Sequence, residues 1–280
     1  MAELHVGPPF PALPDLSNPR ALDGATVDSY RRSGHCVVRG LATPDEVAAY
    51  RPAIAATGAR HRYDHRPLAE RDTYGKAFLQ MMNLWKSDER VRAFVLARRF
   101  ASVAAQLLGV PAVRLYHDQA LFKEPGGGYT PWHQDQFYWP LDTPHTITMW
   151  MALVLVTADM GPVQFASGSQ RLGNLGDFAI GDVSEERFAA LVADHGLAVE
   201  SHEPMAPGDA TFHAGWTLHR AGPNRTDRMR EAMTVIYYAD GTCVGPLDHP
   251  NRKLDRDCWL RGCEPGDLAA GPDNPVVYRA

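Results

Sequence analysis

The sequence predicts a mainly β protein with flanking helices, an α+β arrangement formed as one domain over 280 residues. Three observations carry this expectation. Residues 1–110 hold capped segments with apolar residues at helical spacing, a largely helical buttress. After Pro111 the texture changes to short β-branched and aromatic runs set off by Gly, Pro and Asp, as in the antiparallel strands of a barrel or sandwich; this core covers 111–240. No linker, repeat or low-complexity block divides the chain, and residues 241–280 read as turn-rich and irregular, a flap or a packed tail.

The elements follow in order. Residues 1–24 are rich in proline, lack periodicity and are expected to drape over a surface. "GHCVVRG" (34–40) is a short strand bounded by glycines. Thr43, Pro44 and Glu46 form a capping box with proline at the first helical position, so a helix starts there. Residues 87–109 are expected to form one helix from Ser87 as N-cap to Gly109. The strands then fall in "AVRLYHDQALFKE", "TITMWMALVLV", "PVQFA", "ATFHAG" and "AMTVIYY", interrupted by a helix over 184–196 with Ser184 as N-cap.

Composition narrows the function. With 45% hydrophobic and 22% charged residues the chain is globular, and a dispersed net charge of −5 leaves no footprint for nucleic acid or an anionic membrane. The longest apolar run, "MWMALVLV", is too short to span a bilayer. Residues 1–16 lack the basic start and apolar stretch of an export signal. Cys36, Cys243, Cys258 and Cys263 make no C-x-x-C pair, and a reduced, cytoplasmic protein is expected, a monomer or homodimer acting on a small molecule.

"TPWHQDQFYWP" (130–140) places His133 and Asp135 two apart. In extended backbone such residues face the same side, so an imidazole and a carboxylate can meet on one metal ion. A pair of this kind is weak evidence alone. Further along the chain, His213 and His219 stand beside strand-like residues, and Arg230 follows His219 where the next strand begins. A 2-His-1-carboxylate set leaves adjacent positions open on iron(II), which suits a bidentate 2-oxo acid and oxygen. The far carboxylate of 2-oxoglutarate then needs a fixed cation, and the planar fork of arginine matches it. His213 reads as core or as support for a ligand. His61, Asp64 and His65 read as loop, and His117 and Asp118 face opposite ways along a strand.

The stretches "LFKEPGG…TPWHQDQFYWP", "TITMWMAL", "FASGSQ" and "LHRAGPNRTDRMREAMTVIYY" resemble the phytanoyl-CoA dioxygenase family of iron(II)- and 2-oxoglutarate-dependent oxygenases over roughly residues 113–240. The resemblance implies a double-stranded β-helix (jelly-roll, cupin-like) core. It implies iron(II) on His133, Asp135 and His219, with 2-oxoglutarate as cosubstrate on Arg230, Gln119 and Trp150, and molecular oxygen as the oxidant. A serine that family members often carry two residues after the distal histidine is Ala221 here, so one cosubstrate hydrogen bond is made differently or lost. The intact carboxylate of Asp135 argues against halogenation, because halogenating relatives replace it with a small residue.

Hydroxylation is the default outcome for such an enzyme. Epimerisation, oxidative cyclisation, desaturation and acyl-CoA hydroxylation are alternatives. Met81, Trp85, Phe137, Tyr138, Trp139 and Trp216 offer an apolar lining for a large natural product, which points to a tailoring step in secondary metabolism such as antibiotic biosynthesis. Two readings of other classes stand beside this one: a cupin-like metal-dependent isomerase or hydrolase, which needs no Arg230, and a non-catalytic binding module, which need not keep the triad.

Overall fold

The computed structural model describes residues 12–280, so the expectation for residues 1–11 lies outside the described residues. The stretch that follows does lie over helices: the Pro14 carbonyl accepts from the Tyr50 hydroxyl at 2.7 Å, and Leu16 O from the Arg99 amide at 3.0 Å. Asp23 caps α1 (Gly24–Ser33), accepting from the Thr26 amide, and β1 (His35–Val38) follows. α2 (Pro44–His61) starts with the expected capping box, Thr43 and Glu46 each bonding the other's backbone amide. Arg51 on this helix pairs in bidentate fashion with Glu231, both contacts at 2.7 Å. α3 (Thr73–Ala77) and β2 (Leu79–Met82) come next.

The single helix expected over 87–109 is two. α4 (Glu89–Val95) is capped by Asp88 rather than Ser87, its carboxylate accepting from the Arg90 amide at 2.9 Å. Ala97 then takes an extended conformation and starts α5 (Arg98–Leu108), which ends at Gly109 in the left-handed region. The break lets α4 pack on α2 while α5 turns to lie across strands.

The β-rich part comprises β3 (Ala112–Lys123), β4 (Thr130–His133), β5 (Thr146–Ala152), β6 (Val163–Ala166), then α6 (Asp182–Asp194), β7 (Val199–Ser201), β8 (Ala210–Ala214), β9 (His219–Ala221) and β10 (Arg230–Ala239). α6 starts earlier than expected. Ser184 acts inside its first turn, exchanging hydrogen bonds with Gly181 N and O at 3.0 and 2.9 Å. The segment 241–280 is not wholly irregular: it forms α7 (Pro250–Trp259) and β11 (Val276–Arg279). α7 buries none of its residues completely, which is why no apolar periodicity announces it.

Two antiparallel sheets face each other. The larger has seven strands in the order β1-β8-β5-β10-β3-β11, with β2 also on β3; the smaller runs β4-β9-β6-β7. The fold is mixed, cupin-like and related to the jelly roll. Among the described residues no strand pairing closes the two sheets into a barrel. The two facing sheets bear out the expected jelly-roll relation, while helix and strand are more evenly mixed than in a mainly β chain and the sheets stay open. β1, expected as a strand, and β2, not expected, join the large sheet and widen it beyond its four-stranded partner.

Alternation along the strands of the large sheet separates a helix-facing side from an inner side. Ile147, Met149, Met151, Phe212, Met233 and Val235 belong to the main core with residues of α2, α4 and α5. Thr148, Trp150, His213 and Thr234 face the smaller sheet instead, whose far side is covered by α6. The β3–β10 pairing slips between Val235/Asp118 and Tyr237/Leu115, a bulge that sets the consecutive residues Tyr116 and His117 both on the inner side.

Candidate metal centre

The cavity between the sheets has a volume of about 250 Å³, and His133, Asp135 and His219 sit on its floor. His133 ends β4, Asp135 opens the short 3-10 turn that follows, and His219 starts β9, directly across from His133 in the strand register. The ligand atoms of the three lie within 4.8 Å of one another. Asp135 Oδ1 stands 3.7 Å from Nε2 of both histidines. Gln134 points the other way, its amide donating to the Gly173 and Trp216 carbonyls at 2.9 and 2.7 Å. The i, i+2 spacing thus works as expected, although the chain leaves extended backbone at Asp135.

Each donor is oriented from behind. Nδ1 of His133 lies 2.8 Å from Pro131 O and Nδ1 of His219 lies 3.0 Å from Thr217 O, which keeps the proton on Nδ1 and turns the Nε2 lone pairs inward. Asp135 Oδ2 accepts from the Thr148 hydroxyl at 2.9 Å and from His213 Nε2 at 3.2 Å, leaving Oδ1 for an ion. Burial lowers His133 to about 3 and His219 to about 4, so both rings are neutral at ordinary pH. Burial opposes ionisation of Asp135, yet the facing His219, the His213 hydrogen bond and His133 hold its carboxyl well below the usual range. Two neutral imidazoles and one carboxylate converging from one side form the donor set that fits iron(II) with open positions.

The Thr148 hydroxyl has no signal in the sequence. It comes from the facing sheet, and nothing in local sequence links it to Asp135. Thr148→Val keeps the shape and removes the donor, so metal affinity is expected to fall about ten- to a hundredfold. Titration of the apo-protein with iron(II) under anaerobic conditions reads this directly.

Arg230 starts β10 and is 1% exposed. Its Nη1 donates to Gly161 O at 2.6 Å, its guanidinium lies 5.3 Å from the Trp150 ring centre, and Nε has no partner. Gly161 has a φ of +68°, and a Cβ there would meet the Gly222 carbonyl at 2.1 Å, so only glycine brings that carbonyl to the arginine. Gln119 and Trp150 both line the cavity; Gln119 Oε1 accepts from the Gln80 amide at 2.7 Å. Lys123, paired with Arg230 across the strands, is fully buried, and burial and Arg230 lower it to about 6. Ala221 is opposite Thr130, whose buried hydroxyl has no partner and faces the same cavity.

Of the expected apolar lining, Tyr138 is in the cavity wall, its hydroxyl accepting from the Ile180 amide at 2.7 Å. Met81 and Trp85 instead pack into the main core on the far side of the large sheet. Phe137 turns away from the cavity and stacks, buried, on His249, with ring centres 4.6 Å apart. Trp216 lies behind Gln134, outside the lining. Trp139 lines the cavity as expected, and Tyr74, Phe78 and Trp259 supply the rest of the aromatic surface. His61 and Asp64 join no metal cluster among the described residues, and Cys258 and Cys263 are unbridged. Among the described residues no helix is long and apolar enough to cross a membrane.

The model of the phytanoyl-CoA dioxygenase family matches residues 30–232. A methylphosphonate hydroxylase of Gimesia maris is 28% identical over 149 residues, 53% of this chain and 54% of that protein, so the chain spans about half the length of this curated relative. Among solved structures, the non-heme α-ketoglutarate-dependent carbocyclase SnoK of nogalamycin biosynthesis superposes with a TM-score of 0.74 at 24% identity, covering 95% of this chain and all of that one. The epimerase SnoN of the same biosynthesis gives 0.73 at 24% identity, over 91% of this chain and 98% of its own. These likenesses show a shared fold. With its family match over most of its length, the chain belongs to the phytanoyl-CoA dioxygenase family.

Proposed function

We propose that this member of the phytanoyl-CoA dioxygenase family is an iron(II)- and 2-oxoglutarate-dependent oxygenase that activates a C–H bond of a small-molecule natural product in a tailoring step. The observation that carries the reading is the pairing of a 2-His-1-carboxylate cluster with a buried, under-partnered arginine in one cavity. A cupin-like isomerase or hydrolase would need no such arginine.

His133 and His219 would hold iron through Nε2 and Asp135 through Oδ1, while Thr148 and His213 fix the second carboxylate oxygen. Arg230 takes the far carboxylate of 2-oxoglutarate through Nε and the rest of its fork, Gly161 having claimed one donor. The Thr130 hydroxyl supplies the hydrogen bond that Ala221 lacks, and Gln119 and Trp150 complete the walls. The bound iron, with 2-oxoglutarate and oxygen, supplies an oxidant strong enough to break a substrate C–H bond, leaving succinate and carbon dioxide. The lining of the cavity would set which substrate hydrogen is presented.

For the outcome, ring closure or epimerisation is the better-supported reading than simple hydroxylation. The carbocyclase and the epimerase superpose with TM-scores of 0.74 and 0.73, above the 0.65 of EctD from S. alaskensis with 2-oxoglutarate and 5-hydroxyectoine. Product mass decides: hydroxylation adds one oxygen, cyclisation removes two hydrogens, and epimerisation changes nothing.

The first test is anaerobic titration of apo-protein with iron(II) and 2-oxoglutarate, following the weak visible charge-transfer band of a chelated 2-oxo acid. The band is expected to form, then to bleach with succinate release when air is admitted. Iron binding without a band would remove the 2-oxoglutarate mechanism.

A further inference from the structure

The cavity carries a second polar wall that the iron and 2-oxoglutarate sites do not use. α7 lies over this side and contributes Asp255 and Trp259 to the lining. Asp255 Oδ2 accepts from the Tyr116 hydroxyl at 2.9 Å, and Trp259 also bonds its carboxyl. The β3 bulge sets His117 beside Tyr116, with ring centres 5.1 Å apart, and His117 lies 4.8 Å from the Trp259 ring. His117 is 3% exposed, lines the cavity, and its Nδ1 has no hydrogen-bond partner. Bulge and helix together thus bring two polar groups to one wall.

Charge singles out this wall. Bound iron and Arg230 balance Asp135 and a 2-oxoglutarate dianion, with both ligand histidines neutral. Arg220, the other arginine at the cavity, is already paired with Glu185 at 3.3 Å. The arginines beside Asp255 on its own helix are also engaged: Arg252 with Asp248, and Arg256 with Asp257 and Glu264. No cation pairs with Asp255 among the described residues. Its carboxyl therefore has no counter-charge in the cavity, and burial raises it to about 7, so a cation bound beside it would draw it to the ionised form. Burial lowers His117 to about 4, so its ring is neutral and offers an acceptor.

We propose that Asp255 and His117 form a substrate subsite for a protonated amine, the Asp255 carboxylate supplying the counter-charge and Nδ1 of His117 accepting a second N–H. A basic nitrogen is the one substrate group that both neutralises the carboxylate and donates to two acceptors. The aromatic faces of Trp259, Trp139 and Tyr138 on the same lining suit the carbon skeleton that bears it. The assignment rests on the oxygenase reading for its meaning as a substrate subsite, and places the amine on the C-terminal helix side of the cavity.

The test uses enzyme loaded anaerobically with iron(II) and 2-oxoglutarate, and two probes of matched shape, phenethylamine and 2-phenylethanol. Binding is followed by tryptophan fluorescence. Wild type is expected to prefer the amine by about tenfold. Asp255→Asn should abolish the preference while the charge-transfer band still forms, and Asp255→Leu, which buries no polar group, serves where the amide variant folds poorly. Equal binding of the two probes to wild type, or a preference that survives in the variants, overturns the subsite. A preference present and Asp255-dependent without any charge-transfer band would sustain the amine site and reject the oxygenase reading instead.

Discussion

Asp135→Ala is expected to abolish 2-oxoglutarate turnover, with succinate release below detection and little iron retained after desalting. The substitution removes the oxygen that stands 3.7 Å from both Nε2 atoms, leaving two imidazoles that cannot complete one face of an octahedral ion. It also strands the groups behind the carboxylate. The Thr148 hydroxyl and His213 Nε2, both buried, lose their shared acceptor. A buried polar group left without a partner costs about 1–3 kcal/mol. The melting temperature of the apo-protein should therefore fall, which a loss of catalysis alone would not produce. His133→Ala and His219→Ala should likewise lose turnover, yet they leave the Asp135 acceptor in place and should cost less stability. Succinate production at the wild-type rate in Asp135→Ala would remove the triad assignment.

How far the sequence could be read follows from which contacts are local. The capping box at Thr43–Glu46 and the strand alternation after Pro111 are written in neighbouring residues, and the elements lie close to where they were expected. Two of the three donors of the cluster are also local, two residues apart. The break at Ala97 is not, because it answers to what α4 and α5 pack against rather than to any Gly or Pro. Thr148 and Thr130 depend on cross-strand register and sheet facing, which no single segment states. His117 reaches the cavity wall beside Tyr116 only because the bulge adds a residue to β3. The aromatic lining shows the same limit. Met81 and Trp85 have the right chemistry but face the main core, while Phe78, Gln80 and Met82 of the same stretch face the cavity and the C-terminal helix supplies Trp259 and Asp255.

Arg230→Ala should separate cosubstrate from metal. Arg230 is fully enclosed, with one carbonyl partner at 2.6 Å and an aromatic face at 5.3 Å, and burial lowers its pKa to about 9, so it remains cationic at neutral pH. A buried cation with so few partners is an expense to the apo-protein, and a carboxylate in its fork relieves it. Truncating one side of such a desolvated pair costs about 2–5 kcal/mol, which weakens 2-oxoglutarate binding by about 30- to several-thousandfold. Iron binding should persist, since the guanidinium bonds none of the three metal donors. Thermal denaturation supplies a signature that activity cannot. Wild type should gain stability from 2-oxoglutarate in the presence of metal, whereas the alanine variant should be no less stable without it and should not respond to it. Arg230→Lys should recover only part of the affinity, because a point charge cannot reproduce the bidentate fork. A variant that titrates 2-oxoglutarate with wild-type affinity would show that the far carboxylate lies elsewhere in the cavity.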